Sequence, residues 1–567
     1  MTAGQTARDP SGVPRWLDDA LAFAAGVAAY ALVALNDGVY WDGWLTAAYL
    51  EEGNWQSLYH DQFLAAGRPL YAVFWWLLRY LPDPVLGYKA LAFLLLATSG
   101  LLIRRLGVES GALSRLESIA LALLAVTWPV FEVWFELTFW PYLLAYVFFL
   151  LAAWLALTSR RSSGRQRRRR RLAALIALTL SFTVESFLVF TYALVALLYA
   201  TGVERPLKPS RRALAAFARS WWPFVLLPPL FWLLHELFLP RRGLYAGLNA
   251  LVLSPASLAG AAVAFARNAL VLPVEEAIRT ILRHPLLLLP IWLLAAALDD
   301  RLGRRDLAWQ RGDRPAAWRL LGFGALLFLL GSTPYVLADK VPAVDGWDTR
   351  HGLLMALPAA VLSLAVLRLV FCRRRRLTTA GLAFLLLLCG AFLAGRWASD
   401  VAWQARWIKD RSVMHHLARL PGAGDYSVYW VRDRSTVGRR PEPYRFYEWA
   451  GMFRRVWGGE SRIGLDDAPV SRRRLFEASR QAWFRDRAYL LSELDPRGCQ
   501  ALLEIDDGPR RYARLRLVVQ YQVLRLLRWR SKMEALLDGI TRLAVTPVAA
   551  PEATSCAAVP AGGGEGR

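Results

Sequence analysis

The chain has 567 residues, 56% of them hydrophobic, and carries 69 Lys and Arg against 45 Asp and Glu, a formal charge of +24. With 25 Trp, 26 Phe and 20 Tyr but only 4 Cys, it is not a disordered chain, a disulfide scaffold or a low-complexity protein. Two classes remain: a basic nucleic-acid-binding protein, or a polytopic membrane protein with arginine-rich loops.

Segment length separates them. A bilayer core takes roughly 20 apolar residues as a helix. Stretches near that length recur at 17–35, 85–103, 116–131, 139–158, 172–200, 221–239, 318–337, 351–371 and 377–395, with a shorter one at 285–298. No soluble fold needs so many uncharged runs. The chain therefore reads as an all-α polytopic membrane protein with no nucleic-acid partner. The first stretch follows Arg8 and Arg15 and lacks a clear small-residue cleavage site, so it reads as a retained span rather than a signal peptide.

Basic residues resist translocation, so arginine clusters mark cytoplasmic loops. They lie at Arg104, Arg105 and Arg115, at 160–171, at 205–219, at 301–319 and at 373–376. If all are cytoplasmic, the chain crosses an even number of times between each pair. Stretch 172–200 must then go out and come back, with Glu185 at the turn. Segment 68–82, with Arg68 and flanking prolines, becomes a short amphipathic helix on the outer surface. The expected topology has a cytoplasmic N-terminus (1–16), about eleven transmembrane helices over 17–395, and everything from 396 outside the cytoplasmic (inner) membrane.

On that topology the outer loops collect carboxylates. Within the outer-face loop 36–84, residues 36–69 carry Asp37, Asp42, Glu51, Glu52 and Asp61; the next outer turn carries Glu132 and Glu136; Glu185 follows. Loop 338–350 adds Asp339, Asp345 and Asp348 beside Arg350 and His351. Loop 240–284 is largely apolar, with Tyr245 and an amphipathic stretch near 256–283. Carboxylates gathered at one face suggest a site there. The plainer alternative is that acidic loops merely complement the arginine-rich ones.

Residues 396–548 read as a small α+β extracytoplasmic domain. A strand is expected at 426–432, a hairpin from CQALLEI through DDGPRR into YARLRLVVQY, and a helix near 522–538. From 396 onward there are 30 Lys and Arg against 20 Asp and Glu, a surface that favours phosphate-bearing lipid or glycan. Cys499 and Cys556 are candidates for a disulfide outside the cytosol. Residues 549–567, rich in Ala, Pro and Gly, read as a disordered tail.

No phosphate-binding Gly-rich loop, G-x-S-x-G, H-E-x-x-H or C-x-x-C is present, and the six His are scattered. The best candidate base is Asp42 in GVYWDGW, with Asp37 as its competitor. Aromatic walls raise a carboxylate's pKa by desolvation and stack on sugar rings, which gives Trp44 a binding role. The structural alternative for either acid is a helix cap or a solvated loop residue.

The layout resembles the GT-C class of polytopic glycosyltransferases, in particular bacterial enzymes of the GtrII type and the mannosyl- or aminoarabinose-transferases that use polyprenyl-phosphate sugars. The matching strings are Asp37 and Asp42 with Trp44, then Gly67-Arg68-Pro69-Leu70. Pro129 with Glu132 and Glu136 follows, then Thr183-Val184-Glu185-Ser186, and Arg350-His351 leading to Pro358. They cover residues 17–395; adjacent acids in the first loop and the WWDxG string of oligosaccharyltransferases are missing. The resemblance implies inverting sugar transfer at the outer face to an envelope glycan, lipid or protein. Asp42 would act as base, and Arg68 and Arg350 would hold the lipid phosphate. Glu132, Glu136 or Glu185 would bind sugar hydroxyls or a divalent cation (Mg or Mn). The competing classes are a transporter or flippase of lipid-linked glycan and a non-catalytic envelope assembly protein.

Overall fold

The computed structural model describes residues 15–548 apart from 79, 203–209, 243–244, 248, 253, 284–287, 304–313, 372–374, 470, 472–490 and 492. Nearly all of the expected N-terminal strip 1–16, the whole tail 549–567 and Cys556 lie outside the described residues. In chain order the helices begin α1 (Arg15–Leu35), α2 (Gly43–Glu52), α3 (Leu70–Leu78), α4 (Pro84–Ser110), α5 (Arg115–Thr127), α6 (Trp140–Ser159) and α7 (Gly164–Ser181). They continue α8 (Ser186–Gly202), α9 (Arg211–Phe238), α10 (Pro255–Arg283), α11 (Leu288–Gly303), α12 (Arg314–Leu337), α13 (Ala356–Phe371) and α14 (Arg375–Arg419). Then come β1 (Val428–Asp433), α15 (Phe446–Trp457), β2 (Ile463–Asp466), β3 (Gln500–Asp507), α16 (Arg514–Leu526), α17 (Arg530–Asp538) and β4 (Thr541–Val548).

Among the described residues six helical stretches are long and apolar enough to cross a membrane: Trp16–Leu35, Pro84–Ser110, Leu137–Ser159, Pro255–Arg283, Arg314–Leu337 and Thr379–Arg419. That is fewer than the eleven expected. The shortfall has visible causes: α5 is only 13 residues long, and α7 opens on a run of arginines that shortens its apolar remainder. Helices α8 and α13 are apolar but shorter.

The bundle has two chemically distinct poles. At one, Asp18 and Asp19 pair with Arg104, Arg105 and Arg115, and Arg161 reaches Glu109 at 2.6 Å. The expected reversal at Glu185 is present. Helix α7 ends at Ser181 and α8 begins at Ser186, while Arg160 bonds Thr201, so both ends of this V share the arginine pole. At that pole the α5 N-terminus is closed by a capping box, Glu117 N donating to Ser114 Oγ and Ser114 N to Glu117. Close helix contact follows from small residues: a Cβ on Gly26 of α1 would stand 2.7 Å from Ala97 Cα of α4.

The opposite pole gathers the carboxylate-bearing loops. The Tyr71 hydroxyl of α3 donates to Thr183 O at 3.0 Å, so the short surface helix sits beside the Glu185 turn. Helix α10 starts at this pole and stays there for its first half: Val252 N bonds Leu337 O, and Asn268 Nδ2 bonds Pro342 O, each at 2.8 Å. Residues 252 and 268 thus meet points only five residues apart, which suits an amphipathic helix lying across the pole.

The expected boundary at 396 falls inside α14, which runs unbroken for 45 residues. Beyond it lies a four-stranded sheet in the order β2-β1-β3-β4. Strand β1 pairs in parallel with β2 and β3, and β3 pairs antiparallel with β4 from Gln500↔Val548 to Asp507↔Thr541. The expected hairpin is therefore corrected: YARLRLVVQY is not the partner of β3 but forms most of α16. Its buried residues Leu517, Val518, Tyr521 and Leu524 follow helical spacing rather than alternation.

One buried pair ties α5 to α13. Arg368 donates through both Nε and Nη2 to the Glu117 carboxylate, which is fully buried. Arg368→Met should leave that charge unpaired and cost about 3–5 kcal/mol, read as a lower thermal midpoint in detergent. Adding Glu117→Gln should recover part of the loss.

Candidate functional site

A cavity of about 1350 Å³ opens at the carboxylate pole. Six residues expected from the sequence line it together: Asp42, Arg68, Glu185, Tyr245, Arg350 and His351. Asp42 precedes α2 at its N-cap position, yet its side chain makes no capping bond. Burial raises its pKa, opposed by the Tyr447 hydroxyl and by the Arg350 and Arg445 guanidiniums.

Trp41 sets where Asp42 points. It adopts φ 42°, a left-handed conformation unusual for a bulky residue, and is fully buried. Its backbone N–H donates to Glu448 at 3.2 Å and its indole N–H to Glu442 at 3.1 Å. Both acceptors come from the segment opening α15, some 400 residues away.

Behind Asp42 stands Glu136. Its Oε2 accepts from Thr138 N at 2.7 Å and from the Thr138 hydroxyl. Its Oε1 has no hydrogen-bond partner among the described residues and lies where a Cβ on Gly43 would approach to 2.6 Å. A side chain at position 43 would collide with this carboxylate, so glycine there is what admits Glu136 beside the start of α2. Burial, helped by the neighbouring Asp42 charge, pushes Glu136 up to about 8, so near neutral pH it holds a proton.

The cavity wall is mostly apolar and aromatic, and among its charged residues the cations Arg68, Arg241, Lys340, Arg350 and Arg445 outnumber the carboxylates Asp42, Glu185 and Glu236. Gly67, at φ 73°, makes the turn that aims Arg68 inward, and its carbonyl accepts from His235 at 2.8 Å. Arg68 donates to the Tyr142 hydroxyl at 2.7 Å and lies 3.9 Å from Glu185. Burial works against the Glu185 charge, but Arg68 and Arg241 outweigh it and hold its pKa below the usual range. His351 is pushed down to about 4 by burial and Arg350. Its neutral ring then donates from Nδ1 to Val341 O at 3.3 Å and accepts at Nε2 from Arg350 Nε at 3.2 Å, which orients Arg350. Lys340 is lowered to about 8 by burial and the surrounding arginines.

Other expected residues stand apart from this wall. Asp37 accepts from the Tyr521 hydroxyl at 2.8 Å and pairs with Arg525 at 2.9 Å, facing α16. Trp44 packs on Trp407 at 5.8 Å. Glu132, pushed up to about 7 by burial, pairs with Arg440 at 3.3 Å. Lys340, Arg445 and Tyr447 line the cavity without having been singled out from the sequence. The one hint for the last two was the dense mixture of charge and aromatics in PEPYRFYEWA, unlike a solvated surface.

Among the described residues no three His, Cys, Asp or Glu side chains converge as metal ligands. No family model, curated protein or solved structure matches this chain.

Between the ordinary carboxyl value of 4.5 and about 8, folding binds a proton at Glu136, so stability falls as pH rises through that window. Glu136→Gln mimics the protonated acid. It should fold normally and flatten the decline in thermal midpoint that the native chain shows over that range.

Proposed function

We propose that this chain is an inverting glycosyltransferase that moves a sugar from a polyprenyl-phosphate donor to a hydroxyl of an envelope glycan, lipid or protein. The observation that carries the reading is Asp42 on the wall of a large cavity at the loop-rich pole, where cations outnumber carboxylates in an otherwise largely apolar lining. Asp42 takes the proton of the acceptor hydroxyl, whose oxygen attacks the anomeric carbon. The bond from that carbon to the phosphate oxygen breaks, and the electron pair leaves with the phosphate. Arg68, Arg350, Lys340 and Arg445 supply the positive charge that stabilises the departing anion. Protonated Glu136 spares Asp42 a second negative neighbour. Tyr71, Tyr142 and Trp347 supply aromatic surface along the same wall.

In this reading α10 lies flat, and α1, α4, α5, α6, α7, α8, α9, α11, α12, α13 and α14 serve as about eleven crossings. The arginine pole is cytoplasmic and the cavity pole faces outward, as the distribution of basic residues favours. The cavity volume exceeds that of ordinary small-molecule pockets, which suits a sugar carried on a lipid phosphate. No step requires a metal ion.

In membranes supplied with lipid-linked donor, Asp42→Asn should cut transfer by about 10²–10⁴-fold with expression intact. Asp37→Asn should stay active, because Asp37 faces α16. The native rate should fall as pH drops through a pKa above the ordinary 3.8 of aspartate, since the base works only when ionised. Full activity of the Asp42 variant would exclude it as base.

A further inference from the structure

Helix α16 carries a feature that the cavity does not use. Leu515, Val519, Val523 and Leu526 are 62%, 53%, 45% and 66% exposed, and their spacing places them in one row along the helix. Leu527 and Trp529 extend the row beyond its C-terminus and are exposed too. The opposite side, with Leu517, Val518, Tyr521 and Leu524, is buried against the rest of the fold. A row of this kind is not solvated loop surface.

Its position indicates what covers it. Gln522 Nε2 and Arg525 Nη2 both donate to Leu35 O at 2.9 Å, and Leu35 is the last residue of a helix long and apolar enough to cross a membrane. Gln522 lies three residues after Val519 and four before Leu526, so the side that reaches the end of α1 adjoins the apolar row. The row therefore borders the level at which α1 leaves the bilayer. Basic residues frame it: among the described residues Arg516, Arg528 and Arg530 make no ion pair, and Lys532 sits 3.9 Å above the Trp529 ring. Apolar row, flanking arginines and a terminal tryptophan together match the requirements of a helix lying in the headgroup layer.

We propose that α16 is an interfacial anchor whose occupant is the membrane leaflet at the cavity pole, with acidic phospholipid headgroups bound by Arg516, Arg528 and Arg530. The proposal is independent of glycosyl transfer. It gives the chain a second lipid-recognition surface, distinct from the cavity.

Photocrosslinking tests it on the full-length chain in nanodiscs. Val519→p-benzoylphenylalanine should form a phospholipid adduct, whereas the same replacement at Glu534, half exposed on α17, should not. Adduct yield at position 519 should rise when phosphatidylglycerol joins phosphatidylcholine. Replacing Arg516, Arg528 and Arg530 by Gln should remove that rise, by about fivefold per arginine at the limit. No lipid adduct at 519, or a crosslink to a second copy instead, would overturn the anchor. A yield indifferent to headgroup charge would overturn the assignment of acidic lipid.

Discussion

A buried tryptophan held in a left-handed backbone conformation is the point on which the cavity pole turns. A conformation of that kind costs of order 1–3 kcal/mol and persists only when its surroundings over-determine it. Here Glu448 takes the backbone N–H of Trp41 and Glu442 takes its indole N–H, while its ring packs 4.4 Å from that of Trp403 and stacks on Phe135. Each glutamate is also committed elsewhere: Glu448 to Arg406 at 2.8 Å, Glu442 to the backbone N–H of Trp347 at 2.9 Å. Four separate stretches of chain thus agree on the direction of one peptide, and Asp42 is the next residue.

The pole is consequently built from both ends of the chain. Arg445 and Tyr447 reach the cavity from the segment that opens α15, and Arg440 bonds Glu132 and Asp345 in two different loops. Tyr444 accepts the cationic face of Arg406 at 3.9 Å. These contacts make the C-terminal third part of the cavity's frame. A chain cut after the last apolar stretch would keep Asp42 but lose what orients it.

Much of this was readable from residue patterns, and the misses share a cause. The turn at Glu185 followed from basic flanks on a stretch too long for one span, a constraint local to residues 160–202. Asp42, Arg68, Glu185, Arg350 and His351, assigned to one face from the placing of the arginine clusters, line one cavity. The boundary expected at 396 falls inside a continuous helix: Arg396, Asp400 and Arg406 look like the end of an apolar run, yet all are buried inside α14. Their partners, Trp128 O, Trp134 and Glu448, lie far off in sequence. YARLRLVVQY alternates well enough to pass for a strand, and only its packing on α14 selects the helix. Asp37 and Asp42, five positions apart in one loop, differ solely in which distant surface each meets.

At 1.5 Å per residue, the 45 residues of α14 make a rod of about 67 Å, roughly twice the thickness of a bilayer's hydrocarbon core. Its inner half is gripped by the bundle and its outer half carries the sheet with α16 and α17. Only about half of such a rod fits within the hydrocarbon, so the helix that packs in the bundle is also the beam on which the sheet, α16 and α17 are mounted, with no linker between them.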